Sequence, residues 1–391
     1  MISLKYLKIK ELKLIYKKII YVTIYFFLFN CSSEISKNNI SNGIFKKQTL
    51  RIGVIGDVMI HNIQISSAYT ASCDCYDFTP NFKNILPLTK NIDYGIGNLE
   101  TTLPGNKKDY SGYPTFGSPD SILDALKDIN FTILTTSNNH CLDKGMNTFI
   151  RTINEIKKRN MYSTGTFFSE EERLKNRYLI FEKNGIKFLL LSYTYGTNGI
   201  SIPKNITVNL INKVKIKEDI ENAKKENPDF IIVYYHFGLE YERLPNDEQK
   251  NLVEFTFGEG ADIVLGGHPH VLQPYELKYF KDRDGVSKKR LVVYSLGNFI
   301  SSQYWRYSNG GIIFYFSLNK LGSSTFIDEI DYEPVFVFRS IKSGKLEFQL
   351  LPIKKYIEEN FPPFINEKIK KQMIEFFTDT RDHFMKYSHV E

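Results

Sequence analysis

Residues 260–274, GADIVLGGHPHVLQP, give the clearest indication of the fold class. Its apolar part, Ile263–Leu265, is short and β-branched, as expected of a strand that is buried on both faces. The strand leads through two glycines into His268-Pro269-His270, where the proline stiffens a loop that presents two imidazoles. In open α/β sheets, ligands bind just outside the C-terminal ends of the strands. The stretch therefore predicts an α/β fold with polar ligands at a strand end.

Short apolar runs of the same kind recur along the chain. They are Arg51–Ile55, Asp93–Ile96, Phe131–Leu134, Lys187–Leu191, Phe230–Tyr235 and Leu291–Tyr294. Apolar residues at helical spacing predict helices between several of these runs, over Ser121–Ile129, Thr148–Arg159, Lys213–Glu226 and Asp247–Gly258. Strands that alternate with helices predict βαβ units and a mainly parallel sheet.

The C-terminal part of the chain alternates strand-like segments with turns. Lys281–Gly285 predicts a hairpin tip, and Gly311–Leu318 and Tyr332–Ile341 predict antiparallel strands. A final amphipathic helix is predicted over Glu367–Tyr387.

Five of the predicted strands end in polar side chains that can bind metal ions. In chain order these are Asp57, Glu100, Asn139 with His140, His236, and His268 with His270. Carboxylate, amide and imidazole groups together suit divalent ions such as Zn²⁺, Mn²⁺ or Fe²⁺. Each residue alone has an ordinary structural explanation, such as a helix-capping aspartate or a hydrogen-bonded core histidine. Five such strand ends in one chain favour a metal centre.

These motifs resemble the CapA family of capsule and poly-γ-glutamate synthesis proteins in order and spacing. The segments that carry the resemblance are 56–59, 98–100, 138–145, 236–241, 260–274 and 294–299. The family is related to calcineurin-like metallophosphoesterases. The resemblance therefore implies a four-layer α/β/β/α sandwich, extended here by the C-terminal antiparallel strands and the terminal helix.

The resemblance also implies roles for individual residues. The expected ligands of one or two divalent ions (Mn, Zn or Fe) are Asp57 and His270 on the first ion, Glu100 between the two, and Asn139, His236 and His268 on the second. His140 corresponds to the histidine that steadies the leaving group in phosphoesterases. The residues expected to contact substrate are Asn98, Glu240, Tyr241 and Asn298.

One position departs from the phosphoesterase pattern. Met59 stands where those enzymes have the histidine of an Asp-x-His motif. His61 lies two residues further on and is expected to be a bystander rather than a substitute. The first metal site is therefore expected to be weak or empty, and phosphatase activity does not follow from the fold.

The basic charge of the chain is concentrated at its N-terminus. The chain has 51 Lys and Arg against 44 Asp and Glu, a net charge of +7. Residues 1–31 hold six lysines and one glutamate, so the rest carries 45 basic against 43 acidic residues, a balance of +2. This balance gives no electrostatic footprint for nucleic acid.

The N-terminus itself is typical of an exported lipoprotein. A lysine-rich stretch and the apolar run Ile19–Phe29 predict a signal peptide over residues 1–30. Leu28–Cys31 resembles a lipobox, with bulky residues where small ones are usual, so Cys31 is the expected lipidation site. An uncleaved membrane anchor stays an alternative.

The domain organisation follows from these patterns. We expect a tether over residues 31–48 and the metallophosphoesterase-like CapA domain over 49–320, with 321–391 packing on that domain. The other cysteines, Cys73, Cys75 and Cys141, match no zinc-binding pattern and are expected to be free or opportunistically paired.

Two functions from different classes fit the sequence. The first is a metal-dependent hydrolase or transferase acting on a phosphoester or an amide of an envelope polymer in capsule or poly-γ-glutamate assembly. The second is a non-catalytic assembly factor with a vestigial metal site, so catalysis is left open. Both place the protein outside the cytoplasm in the bacterial envelope, with the membrane, the polymer or its precursor, and a membrane-bound polymer synthase as partners. A surface adhesin has only the lipoprotein signal in its favour.

Overall fold

The computed structural model describes residues 46–342 and 344–391. The predicted signal peptide, the lipidation site Cys31 and nearly all of the tether therefore lie outside the described residues. The first strand begins at Gln48, one residue before the predicted start of the domain. No helix within the described ranges is long and apolar enough to span a membrane.

The strands are numbered in chain order. They are β1 Gln48–Val58, β2 Tyr69–Thr70, β3 Cys75–Tyr76, β4 Tyr94–Leu99, β5 Ile133–Thr135, β6 Tyr162–Thr164, β7 Thr166–Phe167, β8 Leu179–Lys183, β9 Ile186–Thr194, β10 Thr207–Val208, β11 Phe230–His236, β12 Ile263–Gly267, β13 Leu272–Lys281, β14 Ser287–Leu296, β15 Asn298–Ile300, β16 Gly310–Leu321, β17 Ser324–Lys342, β18 Lys345–Pro352 and β19 His389–Val390.

The helices are α1 Asn62–Ala68, α2 Thr79–Phe82, α3 Leu86–Thr89, α4 Ser121–Asp128, α5 Gly145–Lys158, α6 Glu170–Lys175, α7 Lys213–Lys225, α8 Asp247–Gly258, α9 Ile353–Glu359 and α10 Glu367–Tyr387, with a 3₁₀ turn at Lys107–Asp109. The bounds predicted for α8 and α10 are confirmed, and those of α4, α5 and α7 differ from the predictions by one to three residues at an end.

The long strands form two sheets. The first sheet has the order β18-β17-β16-β1-β4-β5-β6, and the second has the order β19-β13-β14-β12-β11-β9-β8. Strands β1, β4, β5 and β6 are parallel, as are β14, β12, β11 and β9. The predicted parallel βαβ units are present, in two sheets as the four-layer sandwich requires. The first sheet has antiparallel strands on one side, where β16, β17 and β18 extend it beyond β1, and it stays parallel to its other edge at β6. The second sheet has antiparallel pairs on both sides of its parallel centre, from the hairpins β13–β14 and β8–β9.

The two sheets pack face to face, and strand β11 shows how its sequence allows this. Its even-numbered residues, such as Ile232, join a core shared with β1 and β16 of the first sheet. Its odd-numbered residues, such as Val233, pack against Ile220 of α7 and Leu252 of α8. Side chains alternate between the faces of a strand, so an apolar run without polar interruptions buries both faces.

The outer face of the first sheet is covered in the same way. Val58 of β1 and Leu134 of β5 share a core with Ile122 and Leu126 of α4. Helices therefore lie outside both sheets, and the predicted four-layer α/β/β/α sandwich is confirmed.

The predicted C-terminal additions are also confirmed. Strands β16, β17 and β18 run antiparallel to their neighbours, and β16 pairs with β1 along most of its length. Helix α10 contributes Met373, Phe376 and Phe384 to the core between the sheets. Of the three cysteines outside the signal region, Cys73 and Cys75 form a disulfide and Cys141 is a buried thiol.

Candidate metal centre

The predicted ligands lie at the ends of strands from both sheets. Asp57 is the penultimate residue of β1, and Glu100 follows β4 directly. His236 is the last residue of β11, and His268 follows β12. The structure brings these ends together in three groups of possible metal ligands, and within each group the ligand atoms lie within 4.8 Å of one another.

One of these groups consists of Glu100, His236 and His268. The two histidine rings have centroids 4.8 Å apart. The His236 Nε2 atom lies 3.4 Å from Glu100 Oε1 and 2.8 Å from Asn139 Oδ1. The structure thus brings together the four residues expected on the second ion, with Asn139 in contact with His236.

A second group consists of Asp57, Glu100 and His270. The His270 Nδ1 atom lies 3.1 Å from Asp57 Oδ2. Glu100 belongs to both groups, which is the arrangement that a carboxylate bridging two ions requires.

The loop after β12 reaches this position through an unusual backbone. His268 and His270 have φ angles of 98° and 58°, a region that residues with a side chain rarely adopt. The His268 backbone N–H donates to Asp57 Oδ2 at 3.1 Å. At Gly267, a Cβ atom would lie 2.6 Å from Asp57 Oδ1, so only glycine allows this close approach. Strain of this kind is typical of functional sites.

Burial and mutual charge set the protonation of Asp57 and His270. Burial alone would raise the pKa of Asp57, but the hydrogen bond and charge of His270 lower it to about 2. Burial alone would lower the pKa of His270, but the charges of Glu100 and Asp57 and the Asp57 hydrogen bond raise it to about 9. Without a bound ion the two side chains therefore form a buried ion pair.

The other two histidines are neutral. Burial lowers the pKa of His236 to about 3. Burial, together with the charges of His236 and His270, lowers the pKa of His268 to about 2. Neutral imidazole is the form that binds metal ions.

The surroundings of Glu100 show whether these residues suit a metal ion. Its side chain is fully buried, and neither carboxylate oxygen receives a hydrogen bond from the described residues. Burial and the charge of Asp57 raise its pKa well above the ordinary value. A buried carboxylate without donors is costly unless a cation compensates it. The residues therefore fit a divalent ion, and Asn139, Asp57 and the histidines supply donors that such ions accept.

His140 follows Asn139 directly and is paired with a carboxylate. Its Nδ1 atom lies 2.7 Å from Asp143 Oδ2, and its ring packs edge-on against Phe116. Burial alone would lower its pKa, but the Asp143 hydrogen bond and the charge of Glu100 raise it above the ordinary value. An imidazole held in this way can carry a proton near neutral pH.

The structure separates the four residues that were expected to contact substrate. Asn98 and Asn298 are fully buried. Asn98 Nδ2 donates to Asp57 Oδ1 at 2.8 Å, and Asn298 Nδ2 donates to Gln303 Oε1 at 2.8 Å. Both side chains are thus hydrogen-bonded to protein groups, and their role as substrate contacts stays a prediction.

The other two expected substrate contacts are exposed at the mouth of the site. Glu240 has its carboxylate within 4.8 Å of ligand atoms of His268 and His270. The Tyr241 ring lies 6.0 Å from the His270 ring.

His61 and Met59 lie near the site but add no donor to the three groups. Met59 is buried. The His61 Nδ1 atom accepts a hydrogen bond from the Ser302 backbone at 3.3 Å, and the His61 ring packs edge-on against Phe116. Burial lowers the pKa of His61 to about 4.

Two further residues of the site were missed by the sequence analysis. Asp143, the partner of His140, lies three residues after it in a segment that the resemblance included. Tyr195 follows β9 directly, and its ring lies 4.6 Å from the His268 ring. Tyr195 stands at the C-terminal end of a strand, as the predicted ligands do, and this position is the sequence signal that points to it.

A cavity of about 810 Å³ opens beside the ligands. We call it the side cavity; its lining residues are Tyr195, Ile211, Lys213, Phe237, Gly238, Leu239, Glu240, Glu248, Gln249, Asn251, Leu252 and His268. It is large enough for a segment of an extended substrate, since ligand pockets typically measure about 300–1,000 Å³.

Solved structures of low similarity include two nucleotidases. The NAD nucleotidase NadN of Haemophilus influenzae has a TM-score of 0.48 and 15% identity, over 88% of this chain and 64% of that chain. A putative 5′-nucleotidase from Staphylococcus aureus has a TM-score of 0.44 and 14% identity, over 84% of this chain and 58% of that chain. This chain thus spans less than two thirds of either nucleotidase.

Sequence comparison gives closer relatives. The PGA biosynthesis protein CapA of Bacillus subtilis (strain 168) is 28% identical over 312 residues, which are 79% of this chain and 77% of that protein. The capsule biosynthesis protein CapA of Bacillus anthracis is 28% identical over 291 residues, 71% of this chain and 66% of that protein. The profile of the family described as "Bacterial capsule synthesis protein PGA_cap" matches residues 51–303, well over half of the chain, and includes every predicted ligand. The chain therefore belongs to the bacterial capsule synthesis protein PGA_cap family.

Proposed function

We propose that this protein acts in the assembly of a capsule polymer of the poly-γ-glutamate class, through a metal-dependent hydrolase- or transferase-like centre. The observation that carries the proposal is the convergence of donors from both sheets around Glu100, whose buried oxygens receive no hydrogen bond from the described residues. The printed names of the two Bacillus relatives support the polymer class.

The residues of the centre would have different roles in the reaction. Divalent ions bound there would supply an activated water and polarise the bond under attack. Asp57, Glu100 and Asn139 provide oxygen donors, and Asn98 orients Asp57 and His236 by lying 2.8 Å from Asp57 Oδ1 and 3.2 Å from His236 Nδ1. His140 holds a proton beside the site and would deliver it to the leaving group.

The side cavity is the proposed place for the polymer. Its lining carries two glutamates, Glu240 and Glu248, and one lysine, Lys213. Without ions, this charge disfavours an anionic chain. Two divalent ions would reverse the sign of the local charge, so we expect a γ-glutamyl chain to bind only in their presence.

The decisive experiment combines turnover with metal content. The protein is loaded with Mn²⁺ or Zn²⁺ and offered γ-glutamyl peptides and model phosphoesters. We expect metal-dependent cleavage or transfer of the γ-glutamyl substrate, a loss of at least a hundredfold in Glu100→Ala, and little change in His61→Ala. A protein that holds no metal and turns over neither substrate contradicts the proposal.

A non-catalytic assembly factor is the second candidate, and the incomplete first ion position favours it. Met59 and His61 add no donor to the groups around Asp57. If the purified protein retains metal and binds γ-glutamyl oligomers but never turns them over, this candidate replaces the enzyme.

We also propose that the protein is an envelope lipoprotein. The sequence support is the lysine-rich and apolar N-terminus that ends at Leu28–Cys31. Acyl chains add about 0.8 kcal/mol of membrane affinity per buried CH₂ group, so lipid at Cys31 would hold the protein on the membrane. We expect Cys31→Ser to block both processing and acylation, as read by mass spectrometry. Unchanged processing and sedimentation with membranes would instead indicate an uncleaved anchor.

A further inference from the structure

The position for the first ion has few donors of its own. Asp57, Glu100 and His270 face it, but Glu100 is shared with the neighbouring group. Met59, two residues after Asp57, is buried, and a thioether suits soft ions such as Cu(I) rather than Mn²⁺ or Zn²⁺. An ion held by only two unshared donors would be weakly bound.

A third group of possible ligands lies next to this position. Glu240, His268 and His270 have ligand atoms within 4.8 Å of one another. His270 also belongs to the group around Asp57, and His268 also belongs to the group around His236. Glu240 thus stands where both groups open to the surface. The Nδ1 atom of His268 is buried and has no hydrogen-bond partner among the described residues. This nitrogen is therefore available to bind an ion.

The backbone holds the Glu240 loop against the His268 loop. Gly238 and Tyr241 have φ angles of 99° and 66°, which turn the chain sharply on both sides of Glu240. The Tyr241 N–H donates to the Pro269 carbonyl at 2.8 Å. The carboxylate therefore faces the two histidines because of main-chain contacts, and its place does not depend on a flexible surface rotamer alone.

We propose that Glu240 is a metal ligand, which completes the first ion position together with His270, instead of a substrate contact. The inference rests on the metal centre of the proposed function and names one more of its donors. Because Glu240 is exposed, the ion that it binds should exchange more readily than the ion held by Glu100, His236 and His268, which are all buried.

The test counts ions in the full-length protein in detergent. Apoprotein made by chelation is dialysed against Mn²⁺, and the ions bound per chain and their dissociation constants are measured. We expect Glu240→Gln to lose one ion, or to bind its weaker ion at least tenfold less tightly. The control is Glu242→Gln, which removes an exposed carboxylate two residues away and should match the wild type.

A second variant separates direct ligation from a general effect of charge. In Co²⁺-loaded protein, Glu240→His would replace an oxygen donor by a nitrogen donor and should shift the visible absorption bands while retaining the ion. Melting temperatures in chelator show whether each variant is folded.

The outcomes separate this inference from the proposed function. If Glu240→Gln binds every ion within twofold of the wild-type affinity, or if Glu240→His leaves the Co²⁺ spectrum unchanged, Glu240 is not a ligand and the metal centre stands without it. A wild-type protein that binds no ion overturns the metal centre itself, and the inference with it.

Discussion

At the scale of single residues, the site contains groups that are costly for the fold without metal. Glu100 is the clearest example, because its carboxylate is buried without a hydrogen-bond donor among the described residues and lies near the charge of Asp57. The proposed ion would explain such a residue, since a functional group often lowers the stability of the fold at its position.

We therefore expect Glu100→Gln to have opposite effects with and without metal. In chelator at pH 7 the variant should be more stable than the wild type by about 1–3 kcal/mol, because glutamine removes the cost of a buried carboxyl whose pKa is raised by folding. With Mn²⁺ it should lose most of the stabilisation that the ion gives the wild type. Urea unfolding under both conditions measures this, and a variant that is less stable in chelator would show that the carboxylate has a partner we have not identified.

A second buried carboxylate lies away from the site and predicts a pH effect. Burial raises the pKa of Glu333 from 4.5 to about 7, although the Lys354 and Lys355 backbone N–H groups donate to it. A carboxyl whose pKa is raised by folding costs nothing below its unfolded pKa; the cost grows as the pH rises from the unfolded to the folded pKa and is constant above that.

Glu333→Gln should therefore stabilise the protein more at pH 8 than at pH 5. Glutamine keeps the oxygen that caps α9, so the expected gain at pH 8 is about 1–3 kcal/mol and shrinks towards zero near pH 5. Urea midpoints at the two pH values provide the measurement, with the exposed Glu358→Gln on α9 as control. An equal effect of Glu333→Gln at both pH values would contradict the raised pKa.

Among the helices and strands, the sequence predicted bounds best where residues close in the chain determine them. Helix α8 was predicted with the bounds that the structure shows, and Asn246 Oδ1 caps it by accepting from the Gln249 N–H at 2.8 Å. Gln249 Oε1 accepts in return from the Asn246 N–H at 3.1 Å, which completes a capping box.

What the sequence could not show depends on contacts between distant segments. Apolar runs reveal that β1 and β11 are buried on both faces, but not that they lie in different sheets. Likewise, Asn98 stands in a motif beside Glu100, but its burial depends on segments that are distant in sequence. Its own strand β4 pairs with β1 in the first sheet, and β11 pairs with β12 in the second. Strand ends therefore predicted the members of the site, whereas access to substrate required the three-dimensional structure.

The capping box of α8 gives a prediction at this scale. Asn246→Ala should lower the free energy of unfolding by about 1 kcal/mol, because the first N–H groups of the helix lose their acceptor. Asn251→Ala, in the exposed middle of the same helix, should be neutral or slightly stabilising, since alanine favours helix. Urea unfolding of both variants measures the difference, and equal effects would show that the cap adds nothing to the fold.

In the whole molecule, the proposed metal centre would connect the two sheets. Asp57 and Glu100 come from strands of the first sheet, and His236 and His268 come from strands of the second. Each sheet alone offers an incomplete set of donors, so an ion at this place binds only the assembled sandwich. The free energy of ion binding would then stabilise the whole fold against unfolding.

Metal should therefore stabilise both sheets together. A ligand that binds only the native state adds RT ln(1 + [L]/Kd), about 2.7 kcal/mol at a hundredfold excess over Kd. We expect Mn²⁺ or Zn²⁺ to raise the melting temperature of a single transition, and to slow hydrogen exchange in β1 and β4 as well as in β11 and β12. His61→Ala should keep this response, whereas Glu100→Ala should lose most of it, because Glu100 belongs to both ligand groups. Slower exchange in the second sheet alone would mean that its histidines bind an ion without the carboxylates, and the shared centre would then be wrong.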